Sequence, residues 1–401
     1  MYFENKQLPI ELQTNDVKNI NNFYSCSLLG DIFYASYHSS MIGSNNAGQK
    51  IEFVFSGTGE SKEEAQIGCF MEAIERYSAT DLETVRNLTF ECLSEKQEWA
   101  SFYGYTNAMV EEAIRARRLS QVKRYFIRAH NWDNSERANI PAEAIFPWWR
   151  RFRNSPANIP ESEGSGIASG LNHRIRETRL AAIREVIERD NCMLSWRLSD
   201  WPKVKIPKEI LGYKTIKELS SNGLDVHLYD IGDPQLCCVV ISLLFNHNNN
   251  VTVGSSCKKD LRSAAKKALQ ESLLVRYTAA YNEHSNISKQ AQDSLDHIKW
   301  GWKNGKKILK WYEENQSNDF RIHHLESDQL ITACAHTYKC EPFFADITCG
   351  GFKTEGYYVC RAVIENAVKK NYAFDKQQLS SKRIQELSCR SVLNTMPHPI
   401  G

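Results

Sequence analysis

One short motif occurs twice in this chain, and it constrains the fold more than any other feature. The copies are Glu72-Ala73-Ile74-Glu75-Arg76 and Glu185-Val186-Ile187-Glu188-Arg189. On a helix, carboxylates at i and i+3 point to the same side, and the arginine follows one position further along. A single copy is most often a solvated helix face with local ion pairs. Because both copies follow similar segments, we expect two helices that contribute to one site.

Two such helices facing each other would bring their carboxylates together. Unpaired carboxylates repel and raise each other's pKa values unless cations lie between them. Mg²⁺ takes oxygen ligands of this kind, usually while it also holds substrate phosphates. The arginines of the motif are suited to bind phosphate oxygens. The repeated motif therefore predicts a magnesium–nucleotide site built from two related halves.

The segments before these helices repeat a plan of strand, small-residue loop and helix. The predicted strands are 51–55 and 251–253, the loops 56–59, 164–170 and 254–256, and the helices 62–78, 174–196 and 260–281. Further strands are predicted at 226–230, 238–245 and 357–364, and a helix at 298–315. This plan predicts a mixed α/β (α+β) fold with helix N-termini around a ligand. No P-loop or dinucleotide-binding glycine motif occurs, and each small-residue loop alone is typical of an ordinary turn.

Composition excludes several classes of protein. A net charge of +2 over 401 residues argues against nucleic-acid binding. The 12 cysteines form no C-x-x-C pair, which argues against a zinc ribbon. No signal peptide and no apolar run long enough to span a membrane is apparent, so we expect a cytoplasmic protein.

These motifs resemble the YcaO family, ATP-dependent enzymes that activate backbone amides and are best known as the cyclodehydratases of azole-containing peptides. The resemblance covers the chain from about residue 50 to its end. Segment 166–170 resembles the family's G-x-A-x-G loop, and 185–196 resembles its second E-x-x-E-R-D helix with the tryptophan that follows. Segment 268–276 is similar to the third motif, A-L-x-E-x-x-Q-x-R, although Leu274 replaces the glutamine. Gly68 stands where many members have serine, and the loop before Glu177 has one extra residue.

The resemblance implies a role for each matching position. It implies magnesium ligands at Glu72, Glu75, Glu185 and Glu188. It implies contacts with ATP at Ser169, Asn172, Glu177, Arg76, Arg189, Glu271 and Arg276. For Arg76, an alternative is pairing with the carboxylates instead of phosphate.

The end of the chain, Pro397-His398-Pro399-Ile400-Gly401, resembles the proline-rich P-x-P-x-P tail that enters the active site in peptide cyclodehydratases of this family. Gly401 replaces the last proline. Prolines at alternate positions fix an extended shape at low entropic cost. We therefore expect the tail to lie near the carboxylates, with the terminal carboxylate or His398 as a base. The alternative is a frayed terminus.

The resemblance implies a cyclodehydratase in which ATP and Mg²⁺ serve to phosphorylate a backbone amide oxygen of a precursor peptide, so that Cys, Ser or Thr side chains become thiazoline or oxazoline rings. It also implies an E1-like, leader-binding partner, a flavin dehydrogenase in the same complex and a homodimer. The alternatives are a YcaO enzyme that forms thioamides or amidines, and a non-catalytic assembly subunit. We expect residues 1–50 to be an N-terminal segment packed on a catalytic domain, 51–401, whose tail is 394–401.

Overall fold

Antiparallel sheets carry the long helices of this chain. The computed structural model describes residues 24–42, 50–93, 123–146, 162–163, 165–281, 289–317, 325, 327–371 and 381–400. The strands are β1 (Tyr24–Leu29), β2 (Ile32–Ile42), β3 (Lys50–Gly59), β4 (Thr89–Leu93), β5 (Lys123–His130), β6 (Arg137–Pro141), β7 (Ser162–Glu163), β8 (Ser165–Leu171), β9 (Val204–Ile206), β10 (Leu224–Asp230), β11 (Cys238–Asn246), β12 (Val251–Lys258), β13 (Phe343–Asp346), β14 (Tyr357–Val363) and β15 (Lys370–Asn371). The helices are α1 (Lys62–Thr80), α2 (Leu82–Leu88), α3 (Ala142–Ile145), α4 (Ile175–Arg197), α5 (Tyr213–Ser221), α6 (Leu261–Tyr281), α7 (Lys289–Lys303), α8 (Gly305–Glu314), α9 (Ser327–Tyr338), α10 (Gly350–Thr354) and α11 (Lys382–Leu387), with short 3₁₀ turns at Asn172–Arg174, Lys208–Leu211 and Ser388–Arg390.

The strands pair in an order that brings distant parts of the chain together. Strands β1, β2 and β3 form one sheet, β12, β11, β10 and β9 a second, and β4, β5, β13, β14 and β8 a third, in which β6 also pairs with β5. The short strands β7 and β15 pair separately. The mixed α/β class predicted from the sequence is confirmed, as are the strands at 226–230, 238–245 and 357–364.

Three strand–helix units organise the molecule: β3 with α1, β8 with α4, and β12 with α6. The three helices were predicted, and Ser61 caps α1 by accepting a hydrogen bond from the Glu64 amide. The predicted helix at 298–315 is interrupted at Asn304, where α7 ends and α8 begins.

The predicted small-residue loops are wrong, because residues 56–59, 165–170 and 254–256 belong to strands β3, β8 and β12. Their glycines serve close packing of strand on helix. A Cβ atom at Gly166 would lie 1.8 Å from the carbonyl oxygen of Ala182, and one at Gly254 would lie 2.3 Å from that of Ala268. Glycine in a strand interior commonly marks such a close backbone approach.

Helix α4 lies at the centre of the main core. Its apolar positions Leu180, Ile183, Val186 and Ile187 are buried, as the sequence predicts, and every residue from Asp190 to Arg197 is buried as well. Asp190 accepts hydrogen bonds from the Val368 amide at 2.7 Å and the Tyr338 hydroxyl at 2.9 Å. None of the helices in the described ranges is long and apolar enough to cross a membrane.

We expect Gly166→Ala to destabilise the protein, because the added methyl group overlaps the backbone of α4. Overpacking of this kind typically costs about 1–3 kcal/mol in the free energy of unfolding. Gly350→Ala is the matched control, since no atom lies within 4 Å of its added Cβ. Chemical denaturation of both variants measures the difference, and equal stabilities would contradict this packing.

Candidate functional site

Glutamates from three helices form one group, which we call the carboxylate cluster: Glu72 and Glu75 of α1, Glu185 and Glu188 of α4, and Glu271 of α6. Glu75 is close enough to Glu72 and Glu185 for both to raise its pKa, and Glu185 and Glu271 act on Glu188 in the same way. The two copies of the motif therefore meet, as predicted. They meet through the middle of their helices, so the predicted gathering of helix N-termini does not build this cluster.

The first glutamate of each motif binds the strand of its own unit. Glu72 accepts a hydrogen bond from the Ser56 amide of β3 at 2.7 Å. Glu185 accepts one from the Ile167 amide of β8 at 2.5 Å. These bonds fix each helix on its strand next to the close-packed glycine.

The second glutamate of each motif binds the strand of the following unit. Glu75 accepts hydrogen bonds from the amide and the hydroxyl of Ser169, at 2.9 and 3.0 Å. Glu188 accepts them from the Ser255 hydroxyl at 2.7 Å and the Cys257 amide at 2.9 Å. Because of the i and i+3 spacing, each helix places one carboxylate against the strand of its own unit and the other against the strand of the next unit.

Helix α6 of the third unit contacts strand β3 of the first unit, so the three units close into a ring. The Thr58 hydroxyl of β3 lies 3.4 Å from Gln270 Oε1, and Lys267 Nζ donates to the same hydroxyl at 2.8 Å. Lys267 also pairs with Glu271 at 2.7 Å. Thr58, Lys267, Gln270 and Ser255 were not predicted as site residues. Gln270 occupies an unspecified position of the third motif, and the other three lie outside the E-x-x-E-R motifs and the third motif.

Two carboxyls of the cluster, Glu75 and Glu188, have raised pKa values, which favours their protonated form. Burial, followed by repulsion from Glu185 and Glu72, raises the pKa of Glu75 to about 8 against the stabilising hydrogen bond of Ser169. Burial is also the main cause of the raised pKa of Glu188. A divalent cation would relieve this repulsion.

The donor set therefore fits magnesium, because it consists of carboxylate oxygens. Glu185 contributes to the raised pKa of both Glu75 and Glu188, so these three glutamates, with Glu72 beside Glu75, would hold the ion. Within the described ranges, no group of three or more His, Cys, Asp or Glu side chains is already gathered closely enough to hold a metal ion. The carboxylates instead accept the strand hydrogen bonds described above.

Both motif arginines contact the carboxylates. Arg76 Nη2 lies 3.5 Å from Glu72 Oε1, on the same helix. Arg189 Nη2 lies 2.5 Å from Glu185 Oε1, and its Nη1 donates to the Ser165 carbonyl at 2.7 Å. A phosphate contact by Arg189 would require it to share or leave these partners.

Asn172 and Glu177 lie near the start of α4, away from its buried half. Both are exposed, and the Asn172 amide donates to the Gly356 carbonyl at 2.8 Å. The structure thus brings Ser169 into the carboxylate cluster, whereas Asn172 and Glu177 face solvent.

Arg276 lies on the wall of a cavity of about 860 Å³, which we call the Arg276 cavity. Its lining consists of apolar residues with a few polar and cationic ones: Ser27, Leu28, Leu29, Asn222, Leu224, Leu273, Arg276, Tyr277, Leu295, Ile298, Lys299, Trp302 and Lys303. The Arg276 guanidinium lies over the Trp302 ring at 5.5 Å. Tyr277 contacts Tyr34 at 4.9 Å between ring centroids, and Tyr34 is near enough to Glu72 for that carboxylate to contribute to its raised pKa. Tyr34 and Tyr277 thus connect the cavity to the carboxylate cluster.

The C-terminal tail is packed and does not fray over its described residues. His398, Pro399 and Ile400 are buried, and Pro397 is half-buried. The Trp196 indole donates to the Met396 carbonyl at 3.2 Å. Gly401 lies outside the described residues.

The family model described as YcaO cyclodehydratase, ATP- and Mg²⁺-binding, matches residues 56–368. The chain belongs to the YcaO family. The match includes both E-x-x-E-R motifs and the third motif, so the resemblance predicted from the sequence is confirmed. It ends before the tail. Comparison with curated protein sequences gives no match.

Solved structures share the fold of this YcaO protein at low sequence identity. A heterocyclase in complex with substrate and cofactor matches with a TM-score of 0.65 at 12% identity, over 95% of this chain and 54% of that one. The heterocyclase TruD matches with a TM-score of 0.57 at 13% identity, over 84% of this chain and 50% of that one. The E. coli microcin synthetase McbBCD complex gives 0.54 at 14% identity, over 85% and 86%. The chain thus spans about half the length of the two heterocyclase chains.

We expect the stability of the metal-free protein to fall as pH rises from about 5 to about 8, in part through Glu75. A carboxyl with an unperturbed pKa of 4.5 and a folded pKa of about 8 keeps its proton more tightly in the folded state. Glu75 therefore begins to lower the free energy of unfolding as the pH rises above the unperturbed pKa, and this effect is complete once the pH exceeds the folded pKa.

Glu75→Gln removes this contribution, so it should raise the Tm of the metal-free protein by several degrees at pH 8 and much less at pH 5. Mg²⁺ should raise the Tm of the unsubstituted protein more at pH 8 than at pH 6. At either pH it should raise the Tm of the Glu75→Gln variant less than that of the unsubstituted protein. Calorimetry in EDTA and in excess Mg²⁺ measures both effects. An identical dependence on pH in the two proteins would refute the raised pKa.

Proposed function

We propose that this chain is an ATP- and Mg²⁺-dependent cyclodehydratase that forms thiazoline or oxazoline rings from Cys, Ser or Thr residues of a precursor peptide. The observation that carries the proposal is the carboxylate cluster, which three helices of a YcaO-family fold build around a site that favours a divalent cation. The intact cluster argues against a non-catalytic assembly subunit.

ATP binds between the carboxylate cluster and the Arg276 cavity. The cavity offers apolar walls and the Trp302 ring to the base, and a guanidinium at Arg276 to the phosphates. Arg189 lies on the cluster side of the same site. The cluster glutamates would hold magnesium, which when bound would neutralise charge on phosphate oxygens.

In the reaction, the thiol or hydroxyl of the peptide attacks the preceding backbone carbonyl carbon. The resulting oxyanion attacks the γ-phosphate of ATP and releases ADP, and loss of inorganic phosphate from the ring carbon leaves the azoline. Two protons leave, one from the attacking group and one from the amide nitrogen. Arg189 and Arg276 stabilise negative charge on the transferring phosphoryl group, the kind of interaction that dominates such reactions.

The terminal carboxylate of the tail accepts one of these protons. Trp196, which binds Met396, lies eight residues after Glu188 on α4, or about 12 Å along the helix axis. The residues after Met396 span at most about 17 Å when extended, which is enough to cover that distance. His398 is buried against α7, which favours the carboxylate over His398 as the base. An ordered tail favours azoline formation over thioamide or amidine formation.

The chain acts with other proteins in the cytoplasm. An E1-like partner binds the leader of the precursor peptide, a flavin dehydrogenase oxidises the azolines in the same complex, and the chain forms a homodimer. Support comes from two structural relatives, the McbBCD complex and its form with pro-MccB17 bound, which contain several subunits and a peptide. Residues 1–50 form the N-terminal segment of this unit, and 51–401 its catalytic domain.

Glu188→Gln should abolish Mg²⁺-dependent ATP turnover and ring formation while the fold is kept. The substitution removes the charge. Its remaining oxygen can still accept from the Cys257 amide, and its NH2 group can donate to the Ser255 hydroxyl, which also accepts. We expect a fall of at least about 10²-fold in turnover with partner and precursor present. Glu355→Gln is the control, because Glu355 is exposed and lies at the end of α10. Unchanged turnover in Glu188→Gln would show that the site is elsewhere.

Deletion of residues 397–401 should slow ring formation by about 10²–10⁴-fold, the usual cost of losing one positioned proton-transfer group. ATP binding should change much less, because the cluster lies on other elements. Three residues appended after Gly401 should act like the deletion, because they move the terminal carboxylate. Normal rates in both variants would leave the tail without a role in catalysis.

A further inference from the structure

The C-terminal tail is held by side chains of two helices. On one side, the Arg197 guanidinium of α4 donates through Nη1 to the carbonyls of Asn394 and Met396, at 2.9 and 2.7 Å. The backbone N–H of Asn394 donates a hydrogen bond to the Arg197 carbonyl at 2.8 Å. Arg197 is fully buried, so its guanidinium orients these carbonyls in a place shielded from water.

On the other side, α7 contacts His398 and Pro399 of the tail. The rings of His297 and His398 are stacked, with centroids 3.8 Å apart and planes 7° from parallel. His297 Nδ1 lies 2.7 Å from the His398 carbonyl oxygen. Because that oxygen only accepts, Nδ1 carries the proton.

Gly301, one turn after His297, leaves the space that Pro399 fills. A Cβ atom at Gly301 would lie 3.2 Å from Pro399 Cβ and 3.5 Å from Pro399 Cα. His297 and Gly301 are four residues apart, so they lie on the same face of α7. This face therefore contacts both the ring of His398 and the proline that follows it.

Helix α4, which contacts the tail through Trp196 and Arg197, also carries Glu185 and Glu188 of the carboxylate cluster. Arg197 lies nine residues after Glu188 on α4, and every residue from Asp190 to Arg197 is buried in the core. The position of the tail relative to the cluster is therefore set by a rigid element, which is how a proton-transfer group is kept within reach of its site.

We propose that His297, Gly301 and Arg197 are positioning residues that hold the C-terminal tail in one register for ring formation. The expected effect on ring formation rests on the proposed function, whereas the expected effect on the order of the tail does not. A shift of one residue along the tail would move the residues after Met396 by about 3.3 Å, which is enough to take a proton-transfer group out of hydrogen-bond reach.

The test compares two α7 variants with a conservative one and a control. His297→Phe keeps a flat ring but loses the N–H donor, and Gly301→Val fills the space of Pro399. His297→Asn keeps a donor near the place of Nδ1. Gly350→Ala is the control, because its added Cβ contacts nothing within 4 Å. Hydrogen exchange of the C-terminal peptide and single-turnover ring formation with partner, precursor and MgATP are measured for each.

We expect His297→Phe and Gly301→Val to speed exchange of the tail amides by at least about tenfold, with α4 amides unchanged, and to slow ring formation by about 10–10²-fold. Nucleotide affinity should stay within about twofold, and His297→Asn should lie closer to the unsubstituted protein. In the protein that lacks residues 397–401, His297→Phe should cause no further loss, because both changes act through the tail.

Unchanged exchange of the tail amides in both variants would overturn the proposal. So would an equal loss of ring formation from His297→Phe with and without the tail, since the effect would then pass through the core. If the unsubstituted protein forms no rings but the tail amides respond as expected, the proposed function fails and the holding of the tail stands.

Discussion

The hydrogen bonds that half-buried glutamates accept from the strand of the neighbouring unit are the interaction on which this structure depends. Glu75 joins the first unit to the second and Glu188 joins the second to the third. Each bond leaves a carboxylate in a place where burial and other carboxylates disfavour its charge. The contacts that assemble the units are therefore also the ones that prepare the site for a cation. These carboxylates lower the stability of the metal-free protein and strengthen the binding of a divalent cation. Such a compromise between stability and function is common at functional sites.

The sequence predicts the helices and the meeting of the two motifs well, because a spacing of three residues between glutamates fixes their common side. It fails at the segments rich in glycine and serine. A turn and a strand that must approach a helix backbone closely both require small residues, and composition alone does not separate them. Only the structure shows that Gly166 and Gly254 face helix carbonyls.

Other parts of the site are beyond prediction from sequence for a different reason. Lys267 and Gln270 contact Thr58 through ordinary polar side chains, and nothing in their local pattern marks that role. The tail was recognised from its prolines, whereas its neighbours His297 and Gly301 come from a polar helix without a motif. Such residues are defined by what they face, and that is decided by packing of segments far apart in the chain.

The pairing of Thr58 with Gln270 joins residues 212 positions apart. Closing a loop of that length costs entropy before any contact in the ring can repay it, and proteins dominated by such distant contacts fold slowly. During synthesis, the glutamates of α1 and α4 leave the ribosome well before the helix that closes the ring around them. The site therefore cannot be complete until α6 has been made and has reached β3, and until then its glutamates and glycine-lined strands stay open to water.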